Sequence, residues 1–465
     1  MLDFLEYAVR KAEEKGAYQA EAYLHGSKHV KITVEKSQLK NVEKTHDMGI
    51  GIRAAIKKQD KLSAGFAFLT NLTKKATICA IDYALKTASS KKPNPDFQFC
   101  ALQKNMQTPK RICDAKLLTI EVENIIELVK NSVNAAFVDK RIMTINGQID
   151  FNKTKVAVVN SLGICGQYDV TSFTVNTSIT AKEGNSFGVG WEHFADCFYN
   201  ENRTYDSFRD SANLAIAQLH PKTAEAGKRE LITHPEALSA LLSYTLIPWI
   251  RADNAQKQSS PFFKKKNQLV ASEKLDIIDD GQVPQAIGSK PFDDEGCAKH
   301  ATPIVEKGKM KGLLYNECSA KKDDTGSTGN ASRTMPFNWK PKYALEPQIG
   351  PTNLKIFSSD KSRETSLEDM IGEVKDGVMI KGVTAAHTAD SATGRFSVIG
   401  DCVFEIKNGE VTRPLKQTFV AGNIRDLINS VELFARNTKQ VSIEMGEESA
   451  LISPALLVRN ISILG

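Results

Sequence analysis

The polar strings best able to do chemistry lie in the second half of the chain. They are Asp279-Asp280, Asp293-Asp294-Glu295 and Ser327-Thr328-Gly329-Asn330, with Arg333 close behind the last of them. Paired carboxylates can hold a divalent cation or move protons. A loop of small donors that ends in a cation can line an anion or peptide site. The same strings are also typical of turns whose carboxylates accept backbone N–H bonds, so a structural role is the main alternative.

The histidines and cysteines form no metal-binding pattern. His234-Pro235-Glu236 begins like a His-Glu motif, but no second histidine follows four or five residues later. A zinc hydrolase of that kind needs two imidazoles on one helix face and a glutamate that takes a proton from the bound water. The eight cysteines lack zinc-ligand spacing and are too dilute for a disulfide scaffold. We therefore expect reduced and mostly buried thiols.

The first elements of the chain read as a sheet between two helices. Apolar residues at helical spacing predict one helix over 2–15 and another over 72–88, the second capped by Asn71. Between them, apolar and polar residues alternate. This alternation predicts an antiparallel meander with turns at Gly26-Ser27 and Gln59-Asp60.

The same order of elements then returns. We predict a helix over 117–138, strands joined by a hairpin turn at 160–163, and a closing helix over 205–219. Gly65-Phe66-Ala67-Phe68 before the first closing helix is echoed by Gly188-Val189-Gly190-Trp191 before the second. The repetition predicts an internal duplication, and helices collected beside antiparallel sheets predict the α+β class.

The chain exceeds the size at which one hydrophobic core stops growing, about 250–300 residues, so we expect two domains. We place an N-terminal α+β domain at 1–221, a linker at 222–228 and a C-terminal β-rich domain at 229–465. The second domain opens with a helix predicted over 235–250. Many short alternating segments follow, separated by Gly, Pro, Asn and Asp, and they predict a barrel or a sandwich.

Charge and hydrophobicity exclude several classes of protein. The net charge of +6 is mild for 465 residues, and Lys264-Lys265-Lys266 is a short run that we interpret as a solvated loop. A nucleic-acid surface usually carries a concentrated basic stripe, so nucleic acid is not an expected partner. The apolar run over 237–250 is too short to span a bilayer, and the first residues do not form a signal peptide. We expect a soluble, cytoplasmic protein with no membrane partner.

Taken in order, the polar strings resemble those of one family. The two acidic strings and Ser327-Thr328-Gly329-Asn330 are followed by Thr393-Gly394-Arg395-Phe396-Ser397 and then by Ala421-Gly422-Asn423. This order is similar to that of the TldD/PmbA family, once described as modulators of DNA gyrase. The resemblance extends over essentially the whole chain.

The resemblance implies a metallopeptidase family in which the TldD branch binds zinc. That branch carries His-Glu-x-x-x-His on the first helix of its C-terminal domain, and the matching positions here hold Ser243, Tyr244 and Pro248. None of the three can replace the imidazoles or the glutamate. Where a cysteine ligand is expected near the C-terminus, this chain has Gly446-Glu447-Glu448-Ser449. The chain therefore resembles the PmbA branch, also called TldE, whose members lack zinc ligands.

For this chain the resemblance implies no cofactor of its own and a TldD-type partner that holds zinc. The complex would degrade or process unfolded peptides. We expect the N-terminal half to supply assembly surface, and the C-terminal half to line a substrate or partner groove with Asp293, Asp294, Glu295, Ser327, Thr328, Gly329, Asn330 and Arg333. Two alternatives stay open: a stand-alone peptidase with a non-standard carboxylate or metal site, and a non-enzymatic peptide-binding regulator. A homodimer is a further alternative to the heteromeric complex.

Overall fold

The computed structural model describes residues 1–103, 106–334, 340–443 and 446–465. Its first half is an antiparallel sheet flanked by helices. The elements, in chain order, are α1 (Leu2–Glu14), β1 (Gln19–Glu35), β2 (Gln38–Lys58), β3 (Lys61–Leu69), α2 (Lys74–Ser90), α3 (Ala115–Thr119), α4 (Val122–Ala135), β4 (Ile142–Asn160), β5 (Cys165–Glu183), β6 (Ser186–Asp196) and α5 (Glu201–Ala217).

The strands lie in the order β3-β2-β1-β4-β5-β6, so the sheet is joined at its centre by the antiparallel pair of β1 and β4. Side chains alternate between its faces, as strand geometry requires. Ala22 and Leu24 point to the core under the helices. Tyr23, between them, packs on the opposite face against Phe292 and Cys297 of the second half of the chain. One face of the sheet is therefore covered by helices and the other by the second half.

The two halves of this sheet repeat one design. Each is a three-stranded meander closed by a helix, and each half has its own apolar cluster. Counted from the closing pair of its hairpin, Gly65 on β3 matches Gly190 on β6. A Cβ at Gly65 would lie 1.9 Å from the carbonyl oxygen of Ala84, and one at Gly190 would lie 2.2 Å from that of Ser211. Both glycines let the closing helix approach the sheet, which supports the predicted duplication. The structural register pairs Gly65 with Gly190, two residues away from the alignment of the two glycine-containing strings in the sequence.

Several predicted boundaries in this half are wrong. Gly26-Ser27 is no turn, because β1 continues through it and pairs with β2 and β4 on its two sides. The helix predicted over 117–138 is interrupted at Ile120, which is extended. Thr73, and not Asn71, caps α2 by accepting the Ala76 N–H. The turns at Gln59-Asp60 and at 160–163 are confirmed.

The second half is rich in short strands, as predicted. Its elements are β7 (Lys222–Thr223), β8 (Gly227–Thr233), α6 (Pro235–Tyr244), α7 (Leu246–Ile250), α8 (Ala252–Gln256), β9 (Leu275–Asp280), β10 (Ala301–Glu306), β11 (Lys309–Met310), α9 (Glu317–Lys322), β12 (Ala331–Ser332), β13 (Gln348–Ile349), β14 (Asn353–Ser358), β15 (Glu364–Thr365), α10 (Leu367–Gly372), β16 (Asp376–Thr384), β17 (Arg395–Lys407), β18 (Glu410–Lys416), β19 (Phe419–Asn423), α11 (Ile424–Asn429), β20 (Val431–Ile443) and β21 (Gly446–Leu464).

Five of these strands close into a ring. β8 pairs with β16, β16 with β17, β17 with β19, β19 with β21, and β21 with β8. Leu231, Ile380, Val398, Val420 and Ile463, one from each strand, are buried in a single cluster. The α+β class and the barrel-like second half are thus confirmed. The boundaries at 221 and 229 stay a prediction.

The single helix predicted over 235–250 is wrong, because it is broken at Thr245 between α6 and α7. Pro248 explains the break: it has no N–H to donate to the carbonyl of Tyr244, and its ring crowds that oxygen. Both short helices are apolar and buried under the barrel strands. Among the helices that the structure describes, none is long and apolar enough to cross a bilayer.

Candidate functional site

A buried network of charges joins the N-terminal sheet to the acidic string of the second half. Arg53 on β2 donates from Nε to Glu21 Oε1 on β1 at 2.9 Å, and from Nη1 to Glu295 Oε1 at 3.0 Å. Arg333 donates from Nη2 to the same Glu21 oxygen at 2.8 Å. Each of the four residues is at most 3% exposed. Two arginines and two glutamates from distant parts of the sequence therefore balance one another inside the molecule.

Asp294 and Tyr23 extend this network. The Asp294 carboxylate accepts the backbone N–H of Arg333 at 2.6 Å and the hydroxyl of Tyr23 at 3.2 Å. The Arg333 guanidinium lies 4.3 Å from the centre of the Tyr23 ring, within the range of a cation–π contact. Burial, and then the Asp294 charge, raise the pKa of Tyr23 well above its ordinary value. The phenol therefore stays a donor, and the string is fixed to the sheet.

Asp293 holds its own turn and the strand beside it. One carboxylate oxygen accepts the N–H groups of Glu295 and Cys297 at 2.9 and 3.0 Å, and the other accepts that of Ala331 at 2.9 Å. Burial raises the pKa of Asp293 and lowers that of nearby Lys299. Because three N–H donors favour the carboxylate form, they oppose the effect of burial on Asp293. The arrangement is that of a structural carboxylate.

The Ser-Thr-Gly-Asn string uses its polar atoms internally. Asn330 donates to Asp279 Oδ2 at 2.7 Å, and Thr328 donates to Asn330 Oδ1 at 2.6 Å. Ser327 Oγ accepts the N–H of Gly329 at 3.2 Å. Gly329 has φ +70°, and a Cβ there would lie 2.4 Å from the carbonyl oxygen of Ala298. Only glycine fits this turn, so the string positions the loop beside the acidic turn.

The structure thus brings the predicted site residues together, but mostly as an interior contact. Asp293, Asp294, Asn330 and Arg333 are buried, and their polar atoms bond to one another or to the backbone. Their contact with a substrate or partner stays a prediction. Thr393-Gly394-Arg395-Phe396-Ser397 lies elsewhere, where Gly394 packs against the Trp249 ring of α7.

The positions matched to the zinc motif lie on α6 and α7 in other roles. Ser243 Oγ donates to the carbonyl of Ser239 one turn earlier, at 2.8 Å. The Tyr244 ring lies 6.4 Å from the ring of His387. Pro248 presents only its carbonyl, which accepts from Asn254 at 2.9 Å. Zinc takes imidazole, thiolate or carboxylate ligands. The donor set of these three positions does not fit zinc.

Three basic side chains surround Glu448, and nothing in the sequence indicated that they would meet. Its carboxylate lies 2.8 Å from Lys290 Nζ and 3.6 Å from His25 Nε2, and it also pairs with Lys342. Burial alone would raise the pKa of Glu448, but the two lysines hold it well below its ordinary value. Glu448, His25 and Lys342 border a cavity of about 380 Å³ between the sheet and the second half. From the sequence, Gly446-Glu447-Glu448-Ser449 is identified only as standing where the family resemblance places a cysteine ligand. The side chain of Glu447 lies outside the described residues.

The prediction of reduced thiols is wrong for one pair. Cys100, in the segment after α2, and Cys297, beside the acidic turn, form a disulfide. Glu317 at the start of α9 lies next to them, with one carboxylate oxygen 3.5 Å from Cys297 Sγ. The three donor atoms lie within 4.8 Å of one another, so in reduced form they offer two sulfurs and a carboxylate to a cation. A sequence separation of 197 residues hides this group from motif reasoning.

The chain is similar to known proteins along its whole length. Residues 226–465 match the PmbA/TldA metallopeptidase C-terminal domain, 20–90 match domain 1, and 115–219 match the central domain. An uncharacterised protein of Methanocaldococcus jannaschii is 26% identical over 98% of each chain.

Two solved structures have the same fold. TldE of Thermococcus kodakarensis superposes with a TM-score of 0.86 at 22% identity, over 99% of this chain and 100% of that one. A proposed modulator of a DNA gyrase from Thermotoga maritima also gives 0.86, at 21% identity over 99% of both chains. At these identities the two structures establish the likeness of fold.

Proposed function

This chain belongs to the PmbA/TldD metallopeptidase family, and we propose that it is a non-catalytic subunit of a heteromeric peptidase in that family. It pairs with a TldD-type chain that carries the zinc, and the complex degrades or processes unfolded peptides. The heteromeric assembly, the cytoplasmic location and the peptide substrate are all parts of this proposal.

The observation that carries the proposal is the chemistry of α6 and α7. A metallopeptidase helix must present two imidazoles to the metal and a carboxylate to the attacking water. The matching positions here are a hydroxyl bonded to its own helix, a phenol and a proline that breaks the helix. Such residues support the interior of a domain but cannot hold zinc or take its water's proton.

The buried contact between the two halves supports the same role. Asp294, Glu295 and Arg333 fix the second half to the sheet, and Asp293 fixes the turn that carries the acidic string. A carboxylate that served as a general base would have to reach a substrate proton at hydrogen-bond distance. These carboxylates therefore suit a rigid scaffold better than a catalytic centre.

The alternative is a stand-alone enzyme with a different metal site. The observation in its favour is the group formed by Cys100, Cys297 and Glu317, whose donor atoms lie close enough to share one cation. It predicts that the reduced chain cleaves peptides alone, and that Glu317→Gln abolishes the cleavage. We favour the subunit role, because the nearby acidic string is already committed to backbone donors.

The test is reconstitution. The purified chain is mixed with a TldD-type partner, and association is measured by size-exclusion chromatography together with cleavage of a fluorogenic unfolded peptide. We expect a stable complex whose cleavage requires both chains and stops when zinc is chelated. Ser243→Ala in this chain should leave the cleavage rate unchanged. Failure to associate, or equal cleavage by the partner alone, would refute the proposal.

A further inference from the structure

A cleft of about 670 Å³ opens in the second half of the chain, between the segment that follows α8, strands β10 and β11, and α9. We call it the lysine cleft and define it by Phe262, Lys264, Lys265, Lys266, Thr302 and Lys322. Its three consecutive lysines are those that the sequence predicts in a solvated loop. They are exposed, and they line this cleft together with a fourth exposed lysine from α9.

The lysine cleft carries a surplus of positive charge. In the part of the chain that the structure describes, none of its four exposed lysines forms an ion pair. Lys311, which also lines the cleft, lies 2.8 Å from Glu306. Asp323 is the one carboxylate among the described lining residues, and its Oδ2 accepts the Tyr315 hydroxyl at 3.0 Å. An anionic ligand would therefore find cations that are not committed to a carboxylate of this chain.

The interior of the lysine cleft is apolar, and a buried hydroxyl on its wall has no partner. Phe262 and Met310 are buried in the core of the second half, and the partly buried Leu313 packs against the same core. Thr302 on β10 is 7% exposed, and its Oγ1 bonds to no described residue. A buried hydroxyl without a partner is costly, so this group is available to an oxygen of a ligand.

The wall of the lysine cleft also offers free main-chain donors. The backbone N–H groups of Gly312 and Leu313, just after β11, reach no acceptor among the described residues. Those of Lys311 and Leu314, on either side, do reach one. Proteins bind extended peptides by pairing such main-chain groups with the peptide backbone, while pockets take alternate side chains. The wall is therefore suited to a peptide.

Nucleic acid, another polyanion that lysines attract, fits the lysine cleft less well. Single strands are held by bases stacked on open aromatic faces as well as by cations. The buried Phe262 ring lies 5.6 Å from that of Trp249, and Lys264 Nζ lies 5.0 Å from the centre of the Phe263 ring. Because these rings are engaged within the chain, a peptide is the favoured occupant.

We propose that the lysine cleft binds an acidic segment of an unfolded peptide. The carboxylates of the peptide pair with the exposed lysines, and an apolar side chain between them packs on the apolar floor that includes Leu313. Thr302 and the free N–H groups at 312–313 donate to the peptide backbone. This inference goes beyond the proposed function, because the binding belongs to this chain alone and needs neither zinc nor cleavage.

The test is a binding measurement on the isolated chain by fluorescence anisotropy. The probes are two short labelled peptides of equal length, one alternating leucine with glutamate and the other alternating leucine with glutamine. We expect the glutamate peptide to bind about tenfold more tightly at low salt, because several exposed ion pairs act together. The difference should shrink at high salt, where exposed charges are screened.

Substitution supplies the second readout. Lys265→Gln/Lys266→Gln should weaken binding of the glutamate peptide by about fivefold or more. The matched control, Lys86→Gln/Lys130→Gln, removes the same charge from exposed positions on α2 and α4 and should leave the affinity unchanged. Thr302→Val removes the hydroxyl that has no partner, so it should keep the melting temperature and weaken binding by about threefold or more, the effect of one hydrogen bond.

Equal affinity for the two peptides, unchanged binding by either cleft variant, or an equal loss in the control would overturn the inference. A thymidine oligonucleotide that binds as tightly as the glutamate peptide, and is weakened by Lys265→Gln/Lys266→Gln, would assign the cleft to nucleic acid and overturn it as well. Each of these results leaves the proposed function standing, since that function is tested by reconstitution with the partner chain. Failure of the reconstitution would in turn leave the peptide binding intact.

Discussion

Replacing Arg53 with methionine should strongly destabilise the contact between the sheet and the second half. Arg53 donates three hydrogen bonds, two to Glu21 and one to Glu295, and is 3% exposed. Burial alone would lower the pKa of Arg53, but the two glutamates raise it above its ordinary value. Methionine keeps much of the volume. Among the residues that the structure describes, Glu295 then has no cationic partner and Glu21 keeps Arg333 alone. Removing one partner from a buried ion pair costs about 3–5 kcal/mol, so we expect a loss in that range.

The assay is urea unfolding followed by tryptophan fluorescence, with Arg10→Met as the matched control. Arg10 lies on α1 with its side chain 68% exposed, so its replacement should change the free energy of unfolding by less than about 0.5 kcal/mol. The double variant Arg53→Met/Glu21→Gln should recover about 1–3 kcal/mol relative to the sum of the single changes, because the two residues interact directly. A loss below about 1 kcal/mol for Arg53→Met would refute the view that this network joins the two halves.

Two further predictions concern Glu448 and Gly394. The pKa of Glu448 in the folded chain is below its ordinary value of 4.5, so its stabilising effect is complete above about pH 4.5 and is lost as pH falls toward the folded pKa. Glu448→Gln should lower the melting temperature at pH 7, and the melting temperature of the variant should decrease less than that of the wild type as the pH is lowered. An equal decrease in the two proteins would contradict this. Gly394 has φ +74°, and a Cβ there would lie 2.4 Å from the Trp249 ring, so Gly394→Ala should lose more than about 2 kcal/mol. Gly372→Ala, with open space around the new methyl group, should lose under about 1 kcal/mol by the same denaturation assay, and equal losses would refute the packing argument.

The sequence was most informative where local patterns decide the structure. Helical spacing, alternation and turn residues located the repeated helix–meander–helix order, because each of these signals acts within a few residues. Predictions failed where neighbours far away in the sequence decide the outcome. Gly26 reads as a turn former, yet it lies in a central strand paired on both sides. Pro248 breaks a helix whose apolar spacing continues past it.

The candidate site was predictable as a set of residues but not as an arrangement. The acidic and Ser-Thr-Gly-Asn strings could be selected by composition, and they do meet. Their partners could not be found, since Arg53 and Glu295 are 242 residues apart and Arg333 and Glu21 are 312 apart. Cys100 and Cys297 likewise carry no spacing signal. Which side chains pair between the two halves depends on how the halves pack against each other, and a single sequence does not show that packing.

The most direct test of the central claim is the zinc content of the purified chain, measured by elemental analysis. The measurement is made on the wild type and on Cys297→Ser, which removes the one described group of closely placed metal-type donors. We predict far less than one zinc per chain in both proteins, and one zinc per complex once the TldD-type partner is added. One zinc per isolated chain, accompanied by peptide cleavage, would contradict the assignment as a non-catalytic subunit. Loss of that zinc in Cys297→Ser would place the metal at the group formed by Cys100, Cys297 and Glu317.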